Sequence, residues 1–204
     1  MVESIETYQT LNAPSDEVLY KEKGSKFYGY AFPVESEADV KLHLEALRKQ
    51  HVGAVHFCYA YQIGTEQITF RANDDGEPGN SAGMPIYGQI RAFSLTNVLV
   101  VVVRFFGGVK LGVGGLMSAY KLAAQMALEQ AEIIEKTITV QFSLAFDYPQ
   151  MNKAMRLIKE NNFQIIGQNS DLRCQLLIEV RKNAAGLIDQ IFTDYSGISV
   201  VRID

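Results

Sequence analysis

Cysteine is scarce in this 204-residue chain, with Cys58 and Cys174 its two thiols. Two distant cysteines make neither a disulfide framework nor a four-ligand zinc site, a usage that fits a reducing compartment. No run reaches the ~18 consecutive apolar residues of a membrane-spanning helix. The opening MVESIETYQT has neither a basic patch nor an apolar stretch of the kind that directs secretion. A cytoplasmic location without a membrane partner is therefore expected. A basic excess is missing too: 19 Lys and Arg stand against 23 Asp and Glu, a formal net charge of -4, and neither side of Lys136 is a basic module. The whole molecule exerts no long-range pull on a polyanion, so nucleic-acid binding would need a local basic site.

What is present reads as an ordinary folded chain, 48% apolar and 21% charged, long enough for one large domain or two small ones. Tyr20, the KEKGSK turn around Gly24 and FYGYAF up to Pro33 predict a hairpin. Residues 36–50 predict a helix, since Val40, Leu44 and Leu47 recur at helical spacing behind a Ser36 N-cap, with Glu37 and Asp39 in the first turn. Residues 55–63 and 67–71, aromatic and β-branched around Gly64-Thr65-Glu66, predict a second hairpin. The stretch NDDGEPGNSAG, 73–83, is turn chemistry and predicts a loop, followed by a helix over 84–95 with Pro85 in its first turn. The unbroken run NVLVVVVR, 97–104, demands burial on both faces of a sheet, hence a central strand. After the glycine-rich FFGGVKLGVGG, an Ala-rich helix over 116–133 is expected, its Ala119, Ala123 and Ala127 permitting close approach to the sheet. The first domain is assigned to 1–135.

The remainder, 136–204, reads as a second domain. Residues 137–146 alternate, with Ile138, Val140, Phe142, Leu144 and Phe146 on one face; 149–160 is helical with Met151, Met155 and Ile158 inward; 163–166 is a strand. A turn at Asn169-Ser170, a strand at 172–180, a helix at 184–195 and a strand at 198–203 complete a βαββαβ order. That is the ferredoxin-like arrangement, two helices on one face of a four-stranded sheet. The other face carries Thr139, Gln141, Ser143, Arg173, Gln175, Glu179 and Arg181, without aromatics on which RNA bases could stack. A solvated face is the favoured reading there, phosphate or protein contact the alternative.

The strand-to-helix turn with Gly107, Gly108, Gly112, Gly114 and Gly115 brings backbone N–H groups to a helix start, where they and the positive dipole end attract anions. Arg104 and Lys110 flank it, and Lys23 and Lys26 extend the basic surface. The turn is neither a GxxxxGK[ST] loop nor a dinucleotide fingerprint, because Met117 stands where Gly or Ala belongs. Glycines that serve only tight strand–helix packing explain it equally well. Asp74, Asp75 and Glu77 offer three hard oxygen donors in four positions, a set suited to Mg2+. A turn whose carboxylates cap backbone N–H groups, or an ion pair with Arg104, is favoured over that metal. His56 and Cys58 share a strand face, but further ligands are not evident, so a core histidine beside a buried thiol is expected. No serine or cysteine has the flanks of a hydrolytic nucleophile.

The runs AVHFCYAY (54–61), NDDGEPGNSAGMPI (73–86), NVLVVVVRFFGGVKLGVGGLMSAY (97–120) and KGSKF (23–27) together resemble the IMPACT family in its bacterial YigZ-type members, and the likeness spans the chain. It implies an α+β protein of two domains, the first like domain 2 of ribosomal protein S5, the second ferredoxin-like and resembling the last domain of elongation factor G. Both folds meet RNA or ribosomes elsewhere, which is analogy of fold alone. Eukaryotic members regulate translation under stress through protein partners, using an additional N-terminal domain that is not expected here. The family loop usually reads DDGEPxGTAG, whereas here Asn80 and Ser81 stand for its second glycine and its threonine, a change expected to alter the turn.

Residues and resemblance support three functions, in descending order. The first is a translation-associated regulatory protein that binds RNA or the ribosome, with Arg104, Lys110 and the helix start at Gly114 and Gly115 holding phosphate. The second is a regulator that meets only protein partners of the translation machinery. The third is a phosphoryl-chemistry enzyme in which Asp74, Asp75 or Glu77 holds Mg2+. Without a nucleotide motif the enzyme is least favoured; no catalytic residue is assigned, and no cofactor beyond that Mg2+ enters any reading.

Overall fold

In a computed structural model, which describes residues 6–170, 173–193 and 197–203, the chain divides into two compact units. One is Tyr8–Lys136; the other is Thr137–Asp204 together with the N-terminal residues up to Thr7. Both are mixed α/β.

After β1 (Thr7–Leu11), the larger unit runs β2 (Val18–Glu22), β3 (Ser25–Pro33), α1 (Glu37–Gln50), β4 (His56–Ile63), β5 (Thr69–Asn73), α2 (Gly83–Ala92), β6 (Val98–Phe105), α3 (Gly112–Gln130) and β7 (Ile133–Thr137). The valine run decides the architecture. Val98 to Val103 are all buried, as a strand covered on both faces requires. β6 accordingly sits at the centre of a five-stranded sheet of order β2-β3-β6-β4-β5, antiparallel to both neighbours. Alternation along β6 sends Val98, Val100 and Val102 into a core with α2 and α3, and Leu99, Val101 and Val103 into a second core with α1. Ser36 caps α1 in a reciprocal box with Asp39. Gly29 lets α3 lie directly on β3, where a Cβ would stand 2.5 Å from the Ala123 carbonyl oxygen; Ala119, Ala123 and Ala127 are fully packed.

β5 lies at Thr69–Asn73 instead of the expected 67–71, because the turn after Gly64 runs longer, and three helix boundaries also differ. α2 stops at Ala92, because Ser94 turns to φ 55 and Leu95 enters the core outside the helix. α3 begins four residues early, at Gly112, so the last glycines of the run form its first turn. It ends at Gln130 because residues from Ile133 pair with β1 in a two-stranded ribbon. Its β7 strand is mostly exposed, and neither strand shows a clean alternation, which is why the pattern concealed the ribbon.

The smaller unit runs β8 (Thr139–Phe146), α4 (Met151–Glu160), β9 (Gln164–Ser170), β10 (Cys174–Arg181), α5 (Ile188–Thr193) and β11 (Ile198–Ile203), with a 3-10 turn before each helix. The strands stand in the order β11-β8-β10-β9, each neighbouring pair antiparallel. Val140, Phe142, Leu144 and Phe146 turn inward against Leu157, Ile158 and Phe192. Met155, expected inside, is 41% exposed, and Ala154 and Leu157 are buried in its stead. Pro149 belongs to the 3-10 turn, and the tighter winding there rotates the apolar stripe that follows. Asn169 and Ser170 continue β9 rather than turning. The expected strand start at Leu172 and helix end at Tyr195 lie outside the described residues. No helix among the described residues is long and apolar enough to cross a membrane.

Candidate functional site

The glycine-rich turn leaves β6 on the α3 side of the larger unit. Gly107 is pressed against the β2–β3 hairpin turn: a Cβ there would stand 1.9 Å from the Gly24 carbonyl carbon, and its N–H donates to Ser25 Oγ at 3.1 Å. The KGSK turn, with Lys23 at φ 45 and Gly24 at φ 80, is thereby locked to the exit of the central strand. Lys23 and Lys26 are exposed on that turn, and Lys110 is exposed just before α3. The first residues of α3, Gly112, Val113 and Gly114, are exposed, and Leu111 before them supplies no side-chain cap. Their N–H groups are the orphan donors of a helix start. Gly108, at φ 86, and Gly115 complete the turn.

Arg104 stands elsewhere than at this surface. It is 5% exposed, and its Nη1 donates to Glu77 Oε1 at 2.5 Å. The same oxygen accepts from Tyr120 Oη at 2.7 Å and lies 3.8 Å from His56 Nε2. Arg104 Nη2 reaches Ser25 Oγ at 3.4 Å, and its guanidinium carbon lies 5.4 Å from the Phe27 ring centroid and 5.6 Å from that of Phe106. A buried cation is held here by a buried carboxylate, so Arg104 secures the 73–83 loop rather than an outside anion.

The acidic triplet is spent within that loop. Asp74 accepts the N–H groups of Asn80, Ala82 and Gly83 at 2.8 to 2.9 Å, capping the entry to α2. Asp75 accepts the Phe57 N–H at 2.7 Å and pairs with Arg48 at 3.4 Å. Glu77 takes Arg104. The three carboxylates therefore diverge, and among the described residues no cluster of three metal-ligating side chains exists. Asn80 lies at φ 62, in the left-handed region that glycine enters freely and asparagine tolerates; the substitution at the resembled loop's glycine therefore keeps a residue fit for that turn.

His56 and Cys58 are tied to the same loop: His56 Nδ1 donates to the Asp75 carbonyl at 2.9 Å and Cys58 Sγ to the Asp74 carbonyl at 3.0 Å. Burial, with Glu77, Asp75 and Asp74 nearby, pushes the Cys58 thiol far above its usual range, and burial does the same to the Tyr120 phenol. Both stay protonated donors at neutral pH, so Cys58 is no nucleophile. Local pattern does not mark Ser25 and Tyr120 as site residues; the signal available is a serine close to two lysines in a hairpin and a tyrosine on an alanine-rich helix face, both polar groups at inward positions. Phe106 carries no sequence signal; it follows Phe105, the last residue of β6, and is 50% exposed because the covered sheet ends there.

Comparison with known proteins places these residues in a group. The profile described as the Impact N-terminal domain matches residues 23–128. The IMPACT family member YvyE of Bacillus subtilis is 31% identical over 78% of this chain and 73% of its own. The IMPACT family member YigZ of Escherichia coli is 32% identical over 82% of each. A crystal structure of a hypothetical protein superposes at a TM-score of 0.74, with 26% identity, over 98% of this chain and 99% of that one. The matched profile spans the locked hairpin turn, the loop held by Arg104 and the glycine-rich start of α3, and the chain belongs to the IMPACT family.

Proposed function

We propose that this is a translation-associated regulatory protein that binds RNA or the ribosome at the glycine-rich start of α3. The carrying observation is the exposed, uncapped helix start directly after Lys110, with Lys23 and Lys26 on the turn that Gly107 locks to the same loop. Lys110, Lys23, Lys26 and the N–H groups of 112–115 hold phosphate; Gly107 and Gly108 shape the turn; Arg104 acts from inside by fixing Glu77. Family membership supports the link to translation, through the role of eukaryotic members. Domain 2 of ribosomal protein S5 is the proposed likeness of the larger unit and a ferredoxin-like fold that of the smaller, the latter supported by its βαββαβ order and its strand order β11-β8-β10-β9. The location that goes with this function is the cytoplasm. Val109, Val113 and Met117, all exposed beside the helix start, favour a protein of the translation machinery as the second reading.

Sucrose-gradient co-sedimentation from cell lysate, with and without RNase and at low and high salt, separates the two. RNA binding predicts migration with ribosomal particles that RNase and salt abolish. A combined Lys23→Gln, Lys26→Gln, Lys110→Gln variant should weaken RNA binding and flatten its salt dependence by about 0.7 in log–log slope per lost contact on a single strand. Migration that survives RNase selects the protein partner, and migration at the top throughout defeats both.

A further inference from the structure

Beside the phosphate-binding surface lies a groove of about 260 Å3 lined by Gly24, Lys26, Tyr28, Phe105 and Phe106. We propose that it takes an unpaired base of a single-stranded nucleic acid, stacked on Phe106; this deepens the reading above and rests on it. Exposed apolar side chains are common singly, so the exposure of Phe106 decides nothing by itself. What decides is how it is held and what surrounds it. The guanidinium of Arg104, fixed by Glu77, lies 5.6 Å from the Phe106 ring centroid, and the next residue is pinned through Gly107 N–H to Ser25 Oγ. Phe105 closes the inner wall edge-on to Tyr28, their centroids 5.8 Å apart. The ring therefore meets a ligand without first being ordered.

The rim is cationic. Lys26 lines the groove and Lys23 stands on the adjoining turn, and among the described residues neither is joined to a carboxylate by an ion pair. An aromatic face beside unpaired lysines complements a base and its phosphate together, which is how single strands are gripped without sequence readout. In a duplex both faces of each base are covered by neighbours, so only an unpaired base fits.

The test uses the full chain and three fluorescent probes at low salt: oligo(A) of about 12 nucleotides, the same oligomer without bases, and a hairpin duplex with as many phosphates. Wild type should bind oligo(A) about tenfold or more tightly than the abasic strand or the duplex. Phe106→Ala should lower oligo(A) to the abasic level while leaving abasic affinity and salt slope unchanged. Should Phe106→Ala melt early, Phe106→Trp decides: the chain has no tryptophan, so the new indole reports alone, and its emission should be quenched by oligo(A) and not by the abasic strand. An unquenched indole, or equal affinity for all three probes, overturns the base site and leaves the phosphate surface standing. Failure of all three to bind overturns both, and preferential capture of an acidic peptide over every nucleic acid reassigns the groove to protein.

Discussion

Glu77 joins three groups through one oxygen, and its loss should be costly. Its side chain is 5% exposed, so Glu77→Ala leaves Arg104 buried and unpaired and should destabilise the larger unit by about 3 to 5 kcal/mol, read from urea unfolding. A loss under about 1 kcal/mol would show that Arg104 finds water or another partner. Cys58 gives a pH signature. Its folded thiol is held protonated well above the ordinary value, while the unfolded thiol ionises near about pH 8.5. The unfolded chain therefore binds fewer protons above that pH, and stability falls as pH rises, by up to about 1.4 kcal/mol per unit for this group. Equilibrium unfolding between about pH 8 and 10 should show the decline, and Cys58→Ala should reduce it; an unchanged slope would assign the titration elsewhere. Sequence reading placed His56 and Cys58 on one face and gave capping carboxylates or an Arg104 pair as the favoured uses of the acidic loop. It did not supply Tyr120 or Ser25, because their partners lie 43 and 79 residues away and local pattern carries no such information.

Elements were legible where their hydrophobic period was strong. β6 and α1 fall close to their expected bounds, because six consecutive buried aliphatics admit one environment and a capping box marks a helix start chemically. Ser36→Ala should cost about 1 kcal/mol, measured by thermal melt against wild type. The ribbon of β1 and β7 and the early start of α3 were not legible, since exposed pairing and glycine-built turns leave little apolar signal. Gly107 shows what the glycine run is for at one position at least. Gly107→Ala forces a side chain into the backbone of Gly24 and should destabilise by about 3 kcal/mol or more, with RNA affinity falling in proportion to the loss of folded chain and beyond it. Retained stability would mean that the hairpin turn yields.

At the scale of the molecule, each unit has its own core: two clusters on the faces of the five-stranded sheet, and one beneath the four-stranded sheet. Calorimetry should therefore resolve two transitions rather than one. Phe192→Ala, which empties a fully buried position in the smaller unit, should lower only one of them, by about 3 to 5 kcal/mol. A single transition that shifts as a whole would show that the units unfold together. The net charge of -4 adds a further expectation, that binding to a polyanion is confined to the lysine-bearing loops and fades steeply with salt.

Composition and periodicity, acting through short-range sterics and burial, determined the central valine strand, the helices with clear apolar stripes and the βαββαβ order of the second unit, while the motif runs at 23–27, 54–61, 73–86 and 97–120 carried the family resemblance. Tertiary structure alone decided which groups meet. Arg104 turned inward because the alternation of β6 puts it on the same face as Val100 and Val102, where Glu77 from a distant loop neutralises it. The lysines and Phe106 were left outside because the sheet ends there and Gly107 has no side chain to hold the hairpin turn away. Spacing along a chain specifies which face a side chain takes, but the partner waiting on that face is set by folding.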